Sequence, residues 1–384
     1  MNYLFIIKKM NKYPLYVKFT IVLLLIILFF FAIIQAREFL YPIVLGVLFG
    51  YLVYPIVNYF EKKGVPRIPA SLIGIAFFLF VVGFALVAIY KQAGNLLDNF
   101  PVYKLKALAN IDSMETFIEN EFGIADLRLA DFLRSRVRFI FEAGNDVMNT
   151  VFSNITGAVF RLGILPVYMF LFLYYRTKLA YFIMKMVVRE NRPIAIKVLS
   201  RFSSVVPRYM GGISTVVLII MALNSLGLFF LGFEHPLVFG IVSGLFAFIP
   251  YFGVLIGGAI SVGFALLTGD SPLLSIQLTI FYLIINSIEN NILTPNIVGS
   301  SLRLNPMMII LGIVGAGMVW GLPGMFSIVP LLAMFNIMSE SIPRLHPYTF
   351  LLGETGTKKH SLTKENVKSF MNLIKSRLKK RFKK

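Results

Sequence analysis

The chain reads as a succession of long apolar runs separated by short polar punctuation. Hydrophobic windows fall at Phe19–Ile34, Leu40–Phe60, Ala70–Tyr90, Val151–Tyr175, Gly212–Leu231 and Pro272–Ile288. Each is near the roughly 20 residues a helix needs to cross a hydrocarbon core of about 30 Å. Two further stretches break the pattern. Leu237–Leu267 carries no charge over 31 positions and is interrupted by Pro250, Gly253, Gly257 and Gly258. Pro306–Ser339 is equally uncharged and is interrupted at Gly321, Pro323 and Gly324. A straight helix over the first stretch would be roughly 46 Å long, too long for one simple span. Each broken stretch therefore either kinks through in one pass or turns back as a hairpin, and the spacing leaves both open.

The pattern predicts an all-α, polytopic integral membrane protein with about eight transmembrane segments, two of them broken or re-entrant. It divides into a three-span region (1–90), an extracytoplasmic amphipathic segment (91–150), a core region (151–340) holding the broken stretches 237–267 and 306–339, and a basic amphipathic tail (341–384). In the polar segment, Leu105, Leu108, Ile111 and then Phe132, Leu133, Arg136, Ile140 follow helical spacing, which predicts short amphipathic helices. In the tail, Val367, Phe370, Met371, Ile374 and Leu378 share a helical face among lysines, the pattern of a helix lying on a membrane surface.

Composition strengthens the membrane reading: hydrophobic residues make up 58% of the chain and mean hydropathy is +0.80. The net charge of +19 does not point to nucleic acid, because 27 of the 37 basic residues cluster beside predicted spans. They lie at Lys8–Lys18, Lys62–Arg67, Arg176–Arg208 and Arg344–Lys384, as cytoplasmic loops require. Lys91–Thr150 carries seven basic against nine acidic residues and belongs on the other side. Both termini are then cytoplasmic. The eight basic residues of Arg176–Arg208 are mixed with Tyr181, Phe182, Met186 and Val198, which predicts an interfacial helix pair attracted to anionic lipid. Arg303, the one charge between Asn291 and Asn305, leans toward the hairpin alternative. The chain has no cysteine, hence no disulfide framework or thiolate metal site. Its three histidines are dispersed, and neither a phosphate-binding Gly-rich loop nor a nucleophile elbow occurs. These absences argue against an enzyme, a cofactor or a metal site, and against nucleotide hydrolysis as an energy source.

Two interrupted hydrophobic segments are the sequence pointer to a substrate pathway in a secondary transporter. Prolines at 250 and 323 free backbone groups and expose half-helix ends, tolerable only where protein or a wet cavity satisfies them. Intramembrane charge is costly and marks such pathways. Glu289 is the foremost case: Asn286, Glu289 and Asn290 stand at i, i+3 and i+4 and are expected to share a face that binds a polar solute, a cation or a proton. Arg161, inside its span, is a second candidate. On this reading Pro250, Tyr251, Gly253 and Gly257 shape one wall of a pathway, and Asn286, Glu289, Asn290 and Pro295 supply the polar one.

Three runs carry a family resemblance. The first is Pro55–Arg67 with Glu61, Gly64 and Pro66, leading to Ala70. The second runs from Gly240 through Ile249, Pro250, Tyr251, Phe252 and Gly253 to Gly257. The third runs from Glu289 through Leu293, Thr294, Pro295, Ile297, Gly299, Leu302, Leu304 and Pro306 to Gly312, Gly321, Gly324 and Pro330. The chain resembles the AI-2E family of bacterial permeases, with matching spacing from Pro42 to Met338. Phe60 stands where leucine is usual, and Asn286 where glutamine is common. The resemblance implies an eight-span inner-membrane protein that assembles as a homo-oligomer, a pentamer being the suggested state. It also implies export of a small polar solute such as autoinducer-2, or sodium or lithium/proton antiport. A non-transporting membrane scaffold is the third alternative.

Overall fold

The computed structural model describes residues 14–122, 131–143, 155–269, 272–299 and 304–353. Helix α1 (Leu15–Gln35) turns at Ala36 into α2 (Arg37–Lys62), and a turn at Gly64 leads into α3 (Arg67–Asp98). Two helices follow, α4 (Phe100–Phe122) and α5 (131–143). Then come α6 (Ile155–Met186) and α7 (Arg192–Phe230), joined by a short 3-10 turn. The remainder is α8 (Pro236–Phe246), α9 (Gly253–Thr268), α10 (Pro272–Ile288), a π-helical turn Glu289–Val298, α11 (Pro306–Trp320), α12 (Leu322–Ser341) and α13 (His346–Leu352). Among the described residues there is no strand, only one isolated bridge between Leu304 and Gly353. Among the described residues five helices are long and apolar enough to cross a membrane, and their outward faces are studded with exposed Leu, Ile and Phe. This is the surface of a multi-pass membrane protein, in which lipid replaces water as the apolar exterior.

Small residues set how the spans meet. A Cβ on Gly46 would sit 2.6 Å from the Tyr168 side chain, and one on Gly50 would sit 2.7 Å from Phe172. The constant offset between the two pairs makes α2 and α6 parallel. An ionic knot pins their common end: Glu61 is bound by Arg176 and lies 3.6 Å from Arg67. Arg67 also donates to the Tyr174 carbonyl at 3.2 Å, and the Arg176 guanidinium lies over the Tyr54 ring. This end, together with the Arg201–Glu340 ion pair at 2.6 Å, marks what we call the basic face.

Both broken stretches are hairpins. In the first, Phe239 meets Phe264 with ring centroids 4.9 Å apart, Gly257 abuts Ser243, and Gly253 abuts Phe246. Partner numbers fall on one side as they rise on the other, so α8 and α9 are antiparallel. In the second, Gly324 meets Ala316, Gly317 meets Met325, and Gly312 meets Ile328 and Leu332. Its two feet are tied together, because Asn305 N donates to Leu352 O at 2.7 Å beside the Leu304–Gly353 bridge. The chain runs from the basic face along α7 to the opposite face before α8, and returns to the basic face along α10. The first hairpin therefore enters from the opposite face and the second from the basic face.

The boundary at residue 90 falls inside α3, which continues to Asp98. The helix pair expected at Arg176–Arg208 is present as the continuation of α6 and α7 beyond the spans, α7 alone having 39 residues. In the polar segment Leu105, Phe132 and Ile140 are exposed, whereas Tyr103, Ala107, Ile111, Val137 and Phe141 are buried. Tyr103, Ala107 and Ile111 recur every fourth residue, which turns the packing stripe away from Leu105. The tail helix expected at Thr363–Lys384 lies outside the described residues.

Candidate functional site

The first hairpin closes through glycine. Backbone contact this tight allows no side chain at Gly253, where a Cβ would be 2.1 Å from Phe246 O, or at Gly257, where it would be 2.4 Å from Ser243 Cα. The turn 247–252 joins the arms, with Tyr251 at φ 68, in the left-handed region that non-glycine residues rarely occupy. Arms of 11 and 16 residues reach only about 16 and 24 Å, so the turn lies at membrane depth. There it meets the second hairpin: Phe248 packs edge-on against Phe326 of α12 at 5.0 Å, and Phe326 stacks on Phe49 of α2 at 5.4 Å.

Four neutral polar side chains form a buried layer behind this junction. Asn224 of α7 donates from Nδ2 to Ser243 Oγ at 2.8 Å, and Ser243 donates to the Gly240 carbonyl. Ser261 of α9 lies 2.8 Å from the Tyr282 hydroxyl of α10 and donates to the Gly257 carbonyl. Asn224, Ser243 and Ser261 are fully buried, and Asn224 Oδ1 has no partner. The layer ties the first hairpin to α7 on one side and to α10 on the other. Sequence reasoning missed it. Asn224 inside an apolar span was the available signal, since an amide there seeks a partner on another helix.

Glu289 begins the π-helical turn and is only 7% exposed. Among the described residues it has neither a hydrogen bond nor an ion pair. Register places it beside the hairpin turn. Gly258 of α9 packs on Tyr282 of α10, and these helices are antiparallel. Seven residues from Gly258 toward the turn is Tyr251, and seven residues on from Tyr282 is Glu289. The carboxyl group and the turn thus share one depth. The π-turn has a local cause. Pro295 lacks an N–H, so the α-ladder cannot continue through it. Where the π-turn begins, Asn290 and Asn291 donate from their side-chain amides to the Asn286 and Ser287 carbonyls, both at 2.9 Å.

That local bonding revises the expected shared face. Asn290 also donates to Asn286 Oδ1 at 3.0 Å, so the two amides satisfy each other and the backbone on a more exposed side. Glu289 faces inward. Asn286 and Asn290 keep the shared face that i, i+4 spacing gives them, while Glu289 is the buried member of the three. Pro295 is exposed, and Gly299 ends the π-turn at φ 65. Gly212 of α7 abuts the π-turn, a Cβ there being 3.1 Å from Ile297 O. Register therefore puts Glu289 at the depth of the turn formed by Pro250 and Tyr251, while Asn286 and Asn290, on the same helical segment, are less buried. Arg161 lies in α6, and its side chain falls outside the described residues.

Comparison with known proteins supplies the family. The profile of the AI-2E family transporters matches residues 21–344. YueF of Bacillus subtilis, named as a transport protein, is 25% identical over 316 residues, covering 79% of this chain and 84% of YueF. YrrI of the same organism, also named as a transport protein, is 23% identical over 301 residues, covering 77% and 84%. PerM of Escherichia coli, named as a permease, is 25% identical over 328 residues, covering 83% and 90%. With most of its length matched, the chain belongs to the AI-2E family of transporters.

Proposed function

We propose that the protein is a secondary transporter exporting a small polar solute, autoinducer-2-like in chemistry, across the bacterial inner membrane with its basic face cytoplasmic. The observation that carries this reading is the meeting of two uncharged hairpins from opposite faces at Phe248 and Phe326. Non-helical backbone at membrane depth is stable only where protein or a water-lined route surrounds it, and two opposed turns bring such backbone from both sides to one level. Pro250, Tyr251, Gly253 and Gly257 form the wall of the route, and Glu289 is its ionisable group. Asn290, Pro295 and Gly299, which follow Glu289 and are more exposed, would be met first by solute from the basic face, and Asn286 one turn before it would be met after. Anionic lipid at the basic loops and assembly into a homo-oligomer belong to the same reading.

A buried carboxyl group with no cation beside it also supports a second reading, sodium or lithium/proton antiport through Glu289. One experiment separates them. Purified protein in liposomes is tested for autoinducer-2 movement and for sodium- or lithium-driven proton flux. Solute movement without cation-driven flux supports export, flux alone supports antiport, and neither supports a scaffold.

A further inference from the structure

Helix α4 lies outside the apolar spans, yet it grips both roots of the first hairpin. The Tyr103 hydroxyl is 2.8 Å from Nε2 of His235, the residue that precedes α8. Its ring also packs edge-on against Phe264 of α9 at 5.1 Å. Seven residues further along α4, Asn110 Nδ2 donates to the carbonyls of Leu267 at 2.9 Å and Gly269 at 3.1 Å. These carbonyls end α9, where a helix has no backbone donors left to offer. Between the two grips Ala107 is fully buried, so the backbone of α4 sits flush on the hairpin. Tyr103, Ala107, Asn110 and Ile111 form one helical stripe.

The strap is itself braced from behind. Phe100 packs on Phe141 of α5 at 5.0 Å, and Lys104 pairs with Glu142 at 3.7 Å. Arg134 holds Asp112 at 2.9 Å and Glu115 at 2.5 Å. A hairpin fixed at its roots is a lever whose tip follows any rotation there. We propose that α4 sets the position of the first hairpin at membrane depth by holding both of its roots, with Tyr103 and Asn110 as positioning residues. This goes beyond the transport reading, because it assigns a role to the polar segment and not to the route.

The chain's lack of cysteine allows a direct test. Single cysteines are placed at Ile249, buried in the hairpin turn, and separately at Ile313, buried in α11. Reaction with a small uncharged maleimide then reports how often each site opens. In Tyr103→Phe/Asn110→Ala, losing both polar grips shifts the docked-to-undocked ratio by about tenfold, so labelling at 249 rises about tenfold. Labelling at 313 is expected not to change. Unchanged labelling at 249 overturns the proposal, as does an equal rise at both sites, which would show loss of general stability. If the double variant does not accumulate, Tyr103→Phe alone keeps the ring against Phe264 and should still raise labelling at 249 severalfold, with the same two overturning results. The readout is geometric, so it fails or succeeds independently of what the protein transports.

Discussion

One pair of substitutions tests the hairpin geometry at close range. Gly257 and Gly263 lie six residues apart in α9, and both can be changed to alanine. At Gly257 the new Cβ would stand 2.3 Å from Ser243 Cβ and 2.4 Å from Ser243 Cα, more than 1 Å inside normal contact. The obstructing atoms include backbone, so relief requires α8 and α9 to separate. Overpacking of this kind costs about 1–3 kcal/mol. At Gly263 nothing lies within 4 Å, so the same change only removes glycine's backbone freedom and gains about 0.5–1 kcal/mol. Thermal unfolding in detergent, followed by fluorescence-detected size exclusion, should place Gly257→Ala below the parent and Gly263→Ala at or above it. Equal shifts in the two variants, or a neutral Gly257→Ala, would refute close antiparallel packing of these arms.

Four further outcomes follow from named contacts. Glu61→Ala should lower stability by about 2 kcal/mol, read in the same unfolding assay, because it leaves Arg176 and Arg67 facing each other without their carboxylate. Asn224→Ala should cost about 1 kcal/mol by removing the bond to Ser243; a change within error would show that the buried layer holds nothing. Glu289→Gln should remove the pH dependence of transport in liposomes, and an unaltered pH profile would end its coupling role. Burial lowers the His235 pKa from 6.5, against a smaller upward pull from Glu234. The docked imidazole therefore binds a proton less readily than the free one. The strap is held fully above pH 6.5 and loosens as pH falls below it, so labelling of Ile249→Cys relative to that of Ile313→Cys should climb at acidic pH. A flat profile would exclude His235 from the grip.

The hairpins were visible in the sequence as overlong uncharged runs with glycine and proline in the middle, because those residues act locally wherever they stand. Gly253 and Gly257, which interrupt the first run, are the positions where its arms approach most closely. What escaped was neutral and relational. Asn224, Ser243, Ser261 and Tyr282 carry no charge, and only the fold brings four helices' worth of hydroxyls and amide together. Asn286 and Asn290 looked like partners of Glu289 from spacing alone, which does not show that the two amides bond each other and the backbone instead. The spacing of Leu105, Leu108 and Ile111 announced an amphipathic helix, but only the fold shows that α4 turns Tyr103 and Ala107 toward the hairpin and leaves Leu105 exposed. Helix extension past the spans at α6 and α7 was hidden by charge, which ends a hydrophobic window without ending a helix.

The central claim is that both broken stretches are hairpins entering from opposite faces, and sidedness tests it most directly. Single cysteines replacing Lys63, Asn296 and Asp98 are labelled with a membrane-impermeant thiol reagent, first in intact cells and then after the membrane is opened. The hairpin arrangement predicts labelling of the Asp98 position in intact cells, with the Lys63 and Asn296 positions reacting only once the membrane is breached. Labelling of the Asn296 position together with that of Asp98 would mean that the first stretch crosses once, and would contradict the account.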